Sequence, residues 1–282
     1  MTIAITGASG QLGRLAINDL KTRTDPSNIV ALARNPDSIS DLGVPTRKAD
    51  YTKPETLDAA LRGIDTLVLI SSSDFNDRAG QHKNVIAAAK SAGVKHLIYT
   101  SILKGDASPL LIAQDHIVTE AAIKESGIPA TILRNGWYTE NWTGTLAGAI
   151  EAGGLIGSVG EGQVTPATRA DFAEAIAVVA AGTGHENKIY ELAGDEAFTM
   201  SDLAAEVSRQ IGKDIGYNDL PLEEYAKILT GFGLPEAFAT TLADAEAGAA
   251  KGALYDDSKT LSGLIGRPTT SMATGVTMAL KG

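Results

Sequence analysis

The sequence contains no cysteine. Disulfide staples, thiolate nucleophiles and thiolate metal ligands are thereby excluded. Histidine is scarce as well: His82, His96, His116 and His185 fall at no metal-ligand spacing, so no metal site is expected. Basic residues are in the minority, with 24 Lys and Arg against 34 Asp and Glu and a formal net charge of −10. The acidic residues are scattered rather than blocked. That balance argues against nucleic acid as a partner, since phosphate binding needs a basic surface. No apolar run approaches the roughly 20 residues that cross a bilayer. The first residues lead straight into a strand-like stretch, which leaves no room for a secretory signal. The expectation is a cytoplasmic protein with no membrane partner. Internal repeats and low-complexity segments are also missing.

What is present is ordinary globular material. Apolar residues make up 44% and charged residues 21% of 282 positions, enough for one substantial domain and a smaller one. Strand-like and helix-like stretches alternate through the first half. Strands are expected at 3–6, 29–33, 45–49, 66–70, 96–100 and 130–134, with helices at 14–22, 54–62, 79–92 and 113–126 between them. Such alternation implies parallel strands joined by right-handed crossovers. The fold class is therefore α/β, a doubly wound parallel sheet of the Rossmann type with a smaller α-rich C-terminal lobe. Residues 1–142, with 160–190 returning to the sheet, are assigned to the nucleotide domain. Residues 143–159 and 191–282 are assigned to a substrate lobe. Within this region, a helix capped near Thr168 or Asp171 and a strand at 189–193 stand out.

Ligands in doubly wound sheets sit beyond the carboxyl ends of the strands. After the first strand comes G-A-S-G-Q-L-G, spanning Gly7, Ala8, Ser9, Gly10, Gln11, Leu12 and Gly13, and then an amphipathic stretch carrying Leu12, Leu15, Ala16 and Leu20. Strand, glycine turn and helix in that order form a dinucleotide cradle. Gly7 reaches backbone angles closed to other residues, Gly10 lets the main chain approach a pyrophosphate, and Gly13 lets helix and strand pack closely. The helix N-terminus offers N–H groups to the phosphates. The second strand ends at Arg34, where an NAD site usually carries Asp or Glu for the ribose hydroxyls. A guanidinium suits a 2′-phosphate instead, and the expected cofactor is NADPH. A solvated surface arginine is the bland alternative.

T-G-A-S-G-Q-L-G, A-L-A-R-N-P, A-D-Y, the S-S-S loop, A-G-V-K-H-L-I-Y-T-S, S-G-I-P-A-T-I-L-R-N-G-W-Y-T-E-N and T-R-A-D follow one another in a familiar order. On these motifs the chain resembles the NmrA-like, atypical branch of the short-chain dehydrogenase/reductases. Within it the chain is most similar to the bacterial type-2 NAD(P)H:quinone oxidoreductases, with the triphenylmethane reductases nearby. The likeness covers nearly the whole chain. It departs from the wider superfamily where a Tyr-x-x-x-Lys acid is usual: Ile112 and His116 stand there, four residues ahead of Glu120. Without that acid, reduction of ordinary ketones is doubtful, whereas a quinone is strongly electrophilic and takes protons from water or a weak donor.

The resemblance implies catalytic roles for Ser101, which lies where relatives keep a hydroxyl near the reacting oxygen, for His116 and for Asn141. Ser101 could equally cap a turn, and His116 could be a partly buried helix histidine with no role. Asp50, Ser71, Ser72, Ser73, Thr100, Asn135, Gly136 and Arg169 are expected around the cofactor. Phe75, Trp137 and Tyr138 are expected to face a planar substrate, although Trp137 could serve packing instead. The implied activity is NADPH-dependent quinone reduction by direct hydride transfer, without flavin. A non-catalytic NADP(H) sensor and a reductase of triarylmethane dyes or enones are the alternatives. Monomer and homodimer both stay open.

Overall fold

The computed structural model describes residues 1–74 and 76–281. In chain order its strands are β1 (Ile3–Ile5), β2 (Ile29–Ala33), β3 (Thr46–Lys48), β4 (Thr66–Leu69), β5 (His96–Ile102), β6 (Ala130–Asn135), β7 (Gly154–Gly157), β8 (Lys188–Leu192) and β9 (Gly216–Asp219). The helices are α1 (Gln11–Leu20), α2 (Pro54–Ala60), α3 (Arg78–Ala92), α4 (Ala113–Ser126), α5 (Glu140–Thr143), α6 (Leu146–Ala152) and α7 (Arg169–Ala181). They continue with α8 (Met200–Ile211), α9 (Leu222–Gly231), α10 (Glu236–Ala249), α11 (Thr260–Ile265) and α12 (Met272–Lys281). None of the helices is long and apolar enough to cross a membrane, among the described residues.

The chain divides into two compact units. The first comprises residues 1–105, 115–135 and 169–190; the second comprises 106–114, 136–168 and 191–282. These bounds differ from the expected ones: 136–142 and 160–168 group with the second unit, and so do residues 106–114.

The first unit carries β1–β6 and the start of β8 in a seven-stranded sheet of order β3-β2-β1-β4-β5-β6-β8. Neighbouring strands from β3 through β6 pair in parallel, with Ile3 opposite both Ile29 and Thr66. The central strands are buried along their full length, as expected of parallel strands covered on both faces. On one face Leu57 and Ala60 of α2 and Val85 and Ala89 of α3 pack over Val30, Leu32, Leu67 and Tyr99. Elsewhere in this unit α1 lies against α7, where Arg23 and Glu174 form an ion pair of 3.2 Å. Leu12, Ala16, Ile17 and Leu20 of α1 are buried, whereas Leu15 is exposed. At 100° per residue, position 15 falls outside the arc shared by 12, 16, 17 and 20, so the expected apolar face is shifted by Ile17.

The second unit holds a two-stranded parallel sheet, β7 with β9, that periodicity does not announce. It also contains helices α5, α6 and α8–α12. Helix α8 carries a reciprocal capping box between Thr199 and Asp202, the arrangement that satisfies two free N–H groups at a helix start.

Candidate functional site

The strand order changes direction between β1 and β4, and the crevice at such a switch point is where doubly wound sheets bind ligands. A cavity of about 420 Å³ opens there in the first unit. Its walls follow the carboxyl ends of four strands: Gly7 and Ser9–Gly13 after β1, Arg34 after β2, Ala49–Thr52 after β3 and Ile70–Asp74 after β4, with Gln81 of α3 and Arg169 at the start of α7.

The glycine turn has the geometry that such a motif requires. Gly7 takes φ +62°, a left-handed backbone that costs other residues. A Cβ on Gly13 would stand 2.4 Å from the Gly7 carbonyl oxygen and 2.9 Å from Ala8 Cα, so any side chain there forces the turn away from the helix. Gly10 is the N-cap of α1; no side chain caps that terminus and its first turn holds no acidic residue. The positive end of the helix is therefore left for an anion. Arg34 is exposed. Two carboxyls feel its charge. Asp50 is lowered overall, since its bonds to Thr52 and the charges of Lys53 and Arg34 outweigh burial. Asp74 is lowered by the Asn76 N–H first, then by Gln81, with Arg34 contributing. The turn, the uncapped helix and the neighbouring cation together fit a phosphorylated dinucleotide.

Of the expected cofactor residues, Gly7, Ser9, Gly10, Gln11, Leu12, Gly13, Arg34, Asp50, Ser71, Ser72, Ser73 and Arg169 border this cavity. Ala8 does not: it is fully buried and its N–H donates to the Leu32 carbonyl at 3.2 Å. Thr100 also stands back, its hydroxyl oxygen accepting from the Ser71 N–H at 2.9 Å. It supports the wall rather than forming it. Asp50 turns one carboxylate oxygen into its own loop, accepting from the Thr52 N–H and hydroxyl at 3.0 and 2.7 Å. Tyr51, unforeseen among the site residues, joins the wall and bonds Ile70's carbonyl at 2.9 Å.

A second polar group lies at the carboxyl ends of β5 and β6. Register places Ser101 beside Arg134, and both reach Glu120 of α4. Ser101 Oγ donates to Glu120 Oε1 at 2.5 Å; Arg134 grips the same carboxylate through Nε at 3.1 Å and Nη2 at 2.7 Å. This is a bidentate pair, the strong form of the Arg–carboxylate bond. Gly105, at φ +49°, lies under the guanidinium: a Cβ would be 2.1 Å from Arg134 Cζ. The hydroxyl hydrogen of Ser101 is thus engaged by a carboxylate in this structure. His116 lies on α4. It is 5% exposed, it shares a 2.8 Å hydrogen bond with the Tyr99 hydroxyl, and burial, with the Arg78 charge, pushes its pKa down to about 3. A ring so held is neutral and has no imidazolium proton to give. Asn135 is buried, and neither atom of its side-chain amide has a hydrogen-bond partner among the described residues. Such an orphan calls for a bound group. Phe75 lies outside the described residues.

The remaining expected residues belong to the second unit. The Gly136 N–H donates to the Leu192 carbonyl at 2.7 Å. Trp137, Tyr138 and Asn141 are half-buried, on a segment held by a bridge between Tyr138 and Ala167. Trp142 beside them is buried and donates through Nε1 to Glu246 at 3.3 Å. Glu246 also accepts from the Ser158 N–H at 2.7 Å and the Tyr225 hydroxyl at 3.0 Å. Sequence patterns did not single out this hub, since its members are separated by up to 104 positions.

Comparison with known proteins follows the same lines. Residues 7–183 match the model of the NAD(P)H-binding family. The chain is 50% identical to quinone oxidoreductase 2 of Escherichia coli strain K12 over 277 residues, covering 97% of both chains. The crystal structure of an NADPH-dependent quinone oxidoreductase from Escherichia coli, complexed with NADPH, superposes with TM-score 0.97 at 50% identity and covers 99% of this chain and all of its own. A triphenylmethane reductase from Citrobacter sp. superposes at TM-score 0.94 and 36% identity, with complete coverage of both chains. This chain belongs to the NAD(P)H-binding family.

Proposed function

We propose that this chain is an NADPH-dependent quinone reductase. One observation carries the reading: the glycine turn, the uncapped α1 and Arg34 border a single cavity in a chain half-identical to a quinone oxidoreductase along 97% of its length. NADPH, when bound, supplies the hydride. The chain's own residues bind and orient it. Backbone N–H groups at the start of α1 meet the pyrophosphate, and Arg34 meets the 2′-phosphate through its planar fork. Ser71–Ser73 form the opposite wall, and the orphaned amide of Asn135 awaits a polar group of the ligand. In the second unit, Trp137 and Tyr138 offer flat apolar faces to an aromatic acceptor, with Asn141 as a hydrogen-bond donor.

No side chain is required as a strong acid. His116 is held neutral and Ser101 is engaged by Glu120, so the quinone oxygens take their protons from water in this reading. That suits acceptors of high electrophilicity and excludes simple ketones. A cytoplasmic setting belongs to the same reading. Following NADPH oxidation against quinones, triarylmethane dyes, enones and simple ketones tests it: turnover with quinones and none with ketones is expected, and inertness toward every quinone overturns it. Arg34→Ala is expected to weaken NADPH binding about tenfold or more while leaving NADH binding within about twofold, because a charge-assisted phosphate contact contributes about 1.5–3 kcal/mol.

A further inference from the structure

The wall formed by Ser71–Asp74 has no regular structure of its own, yet side chains from two neighbouring elements hold it. The Ser71 N–H is received by Thr100 of β5 at 2.9 Å. At the start of α3, Arg78 Nε donates to the Ser72 carbonyl at 2.7 Å. Gln81 accepts from Ser72 Oγ at 2.7 Å and donates to Asp74 Oδ2 at 2.7 Å. The remaining contact is the informative one: the Ser72 N–H donates to His82 Nε2 at 2.9 Å. His82 is fully buried and lies outside every role assigned so far.

An N–H can only meet a ring nitrogen that carries a lone pair. His82 Nε2 is therefore unprotonated, and the ring's hydrogen sits on Nδ1. There it donates to Thr119 Oγ1 at 2.9 Å, and Thr119 in turn donates to the Asp115 carbonyl at 2.7 Å. The directions agree along the whole chain, from the Ser72 N–H through the ring to the backbone of α4. Reversing any one bond would set two donors face to face. Burial and the charge of Arg78 push the pKa of His82 down to about 3, so the acceptor lone pair persists across the working range. We infer that His82, locked in its Nδ1–H tautomer by Thr119, is a positioning residue that holds Ser72 in the wall of the cofactor cavity. It touches neither cofactor nor substrate; it acts through the loop. The inference rests on the reading of this cavity as the NADPH site.

Two amides of similar size separate this role from plain packing. In His82→Gln the side-chain oxygen reaches the place of Nε2 and can still accept from Ser72. In His82→Asn the amide reaches only the place of Nδ1, so the Thr119 contact survives and the Ser72 N–H is left buried and unpaired. The expected result is an NADPH dissociation constant raised about tenfold in His82→Asn and within about threefold of wild type in His82→Gln. The turnover number at saturating NADPH is expected to stay within about twofold in both. Thr119→Val, nearly isosteric, removes the acceptor that fixes the tautomer and is expected to raise the constant about threefold; it serves if His82→Asn does not fold. Equal affinity in Asn and Gln variants, or a fall in turnover number with unchanged affinity, overturns the inference. Arg34→Ala is measured alongside. If it loses NADPH while the His82 and Thr119 variants do not, His82 is merely a core residue. If neither Arg34 nor His82 variants change binding, the cavity itself has been misassigned.

Discussion

The two units bury polar groups in opposite ways. In the first, His82, His116, Tyr99 and Thr119 form an uncharged cluster. Both rings are neutral, their pKa values pushed down to about 3 by burial and by Arg78, and hydrogen bonds link His82 to Thr119 and His116 to Tyr99. In the second, Glu246 receives three donors from α5, the segment after β7 and α9. Burial pushes its pKa up, against the pull of those donors. Desolvation disfavours charge in both places, but one cluster is built of bases and the other of an acid. Acid should therefore strain the first unit, and rising pH should strain the second. A chain of single bonds also fails one link at a time, whereas a hub fails all at once.

The largest effect is expected from removing the hub. Glu246→Ala leaves the Ser158 N–H, the Trp142 indole N–H and the Tyr225 hydroxyl without their acceptor in a buried setting. At 1–3 kcal/mol for each orphaned group, partly relieved by entering water, the loss is about 4 kcal/mol. Both tryptophans of the chain, Trp137 and Trp142, lie in the second unit. The midpoint of denaturant unfolding followed by tryptophan emission reads this loss directly. A change under about 1 kcal/mol would mean that the hub is solvated and the contrast between the units is unreal.

Next comes the acid limb of the first unit. The folded pKa of His116, about 3, lies below the ordinary 6.5, so between those values the unfolded chain binds a proton that the folded chain refuses. Stability contributed by the neutral ring is complete above pH 6.5 and is lost as pH falls toward 3. Near pH 5 the cost is about 2 kcal/mol for each such ring. In His116→Asn, whose amide still reaches Tyr99 but does not titrate, the loss between pH 7 and 5 should shrink by that amount. Circular dichroism at several pH values measures it, and an unaltered acid limb would place the ring in water.

How much of this was legible beforehand depended on distance along the chain. The strand Ile29–Ala33 and the helix Ala113–Ser126 match their expected bounds, because apolar runs and periodic stretches carry their own signal. The glycine turn and Arg34 were equally plain, being local spacings beside a strand. By contrast, Ser101, Glu120 and Arg134 meet only through the β5–β6 register and the return of α4. Their union, in which Ser101 donates to the Glu120 carboxylate, has no local signal. His116 stands at the familiar lysine position, and nothing local announces its burial or its bond to Tyr99. The β7–β9 pair was invisible for another reason: each strand has four residues and opens on glycine, too short for alternation to register.

A smaller effect tests the claim that the first cluster fails link by link. Tyr99→Phe deletes one hydroxyl and leaves His116 Nδ1 without its 2.8 Å partner. The ring can exchange tautomers, so the loss should be about 1 kcal/mol, the ordinary worth of one buried bond. A loss as large as that of Glu246→Ala would show that the imidazoles also act as one unit.

The smallest effect is the most discriminating, because its size should depend on pH. Glu246→Gln keeps the shape and one acceptor oxygen. If that oxygen faces the Ser158 N–H, the amide hydrogens turn toward Tyr225, which can accept, and toward the Trp142 N–H, which cannot. At low pH, where the native carboxyl is protonated and faces a similar mismatch, the variant should differ from wild type by well under 1 kcal/mol. As pH rises above the ordinary carboxyl value of 4.5, the folded protein holds its proton longer than the unfolded chain. Wild-type stability from this group is therefore complete below 4.5 and falls as pH climbs through the raised folded value. The amide variant, which does not titrate, would escape that decline. Unfolding followed by tryptophan emission should then show the variant gaining on wild type with pH, opposite in sign to the acid limb of the first unit. A variant that instead falls further behind as pH rises would mean that the three donors outweigh desolvation, and that the carboxylate is the stabilised form.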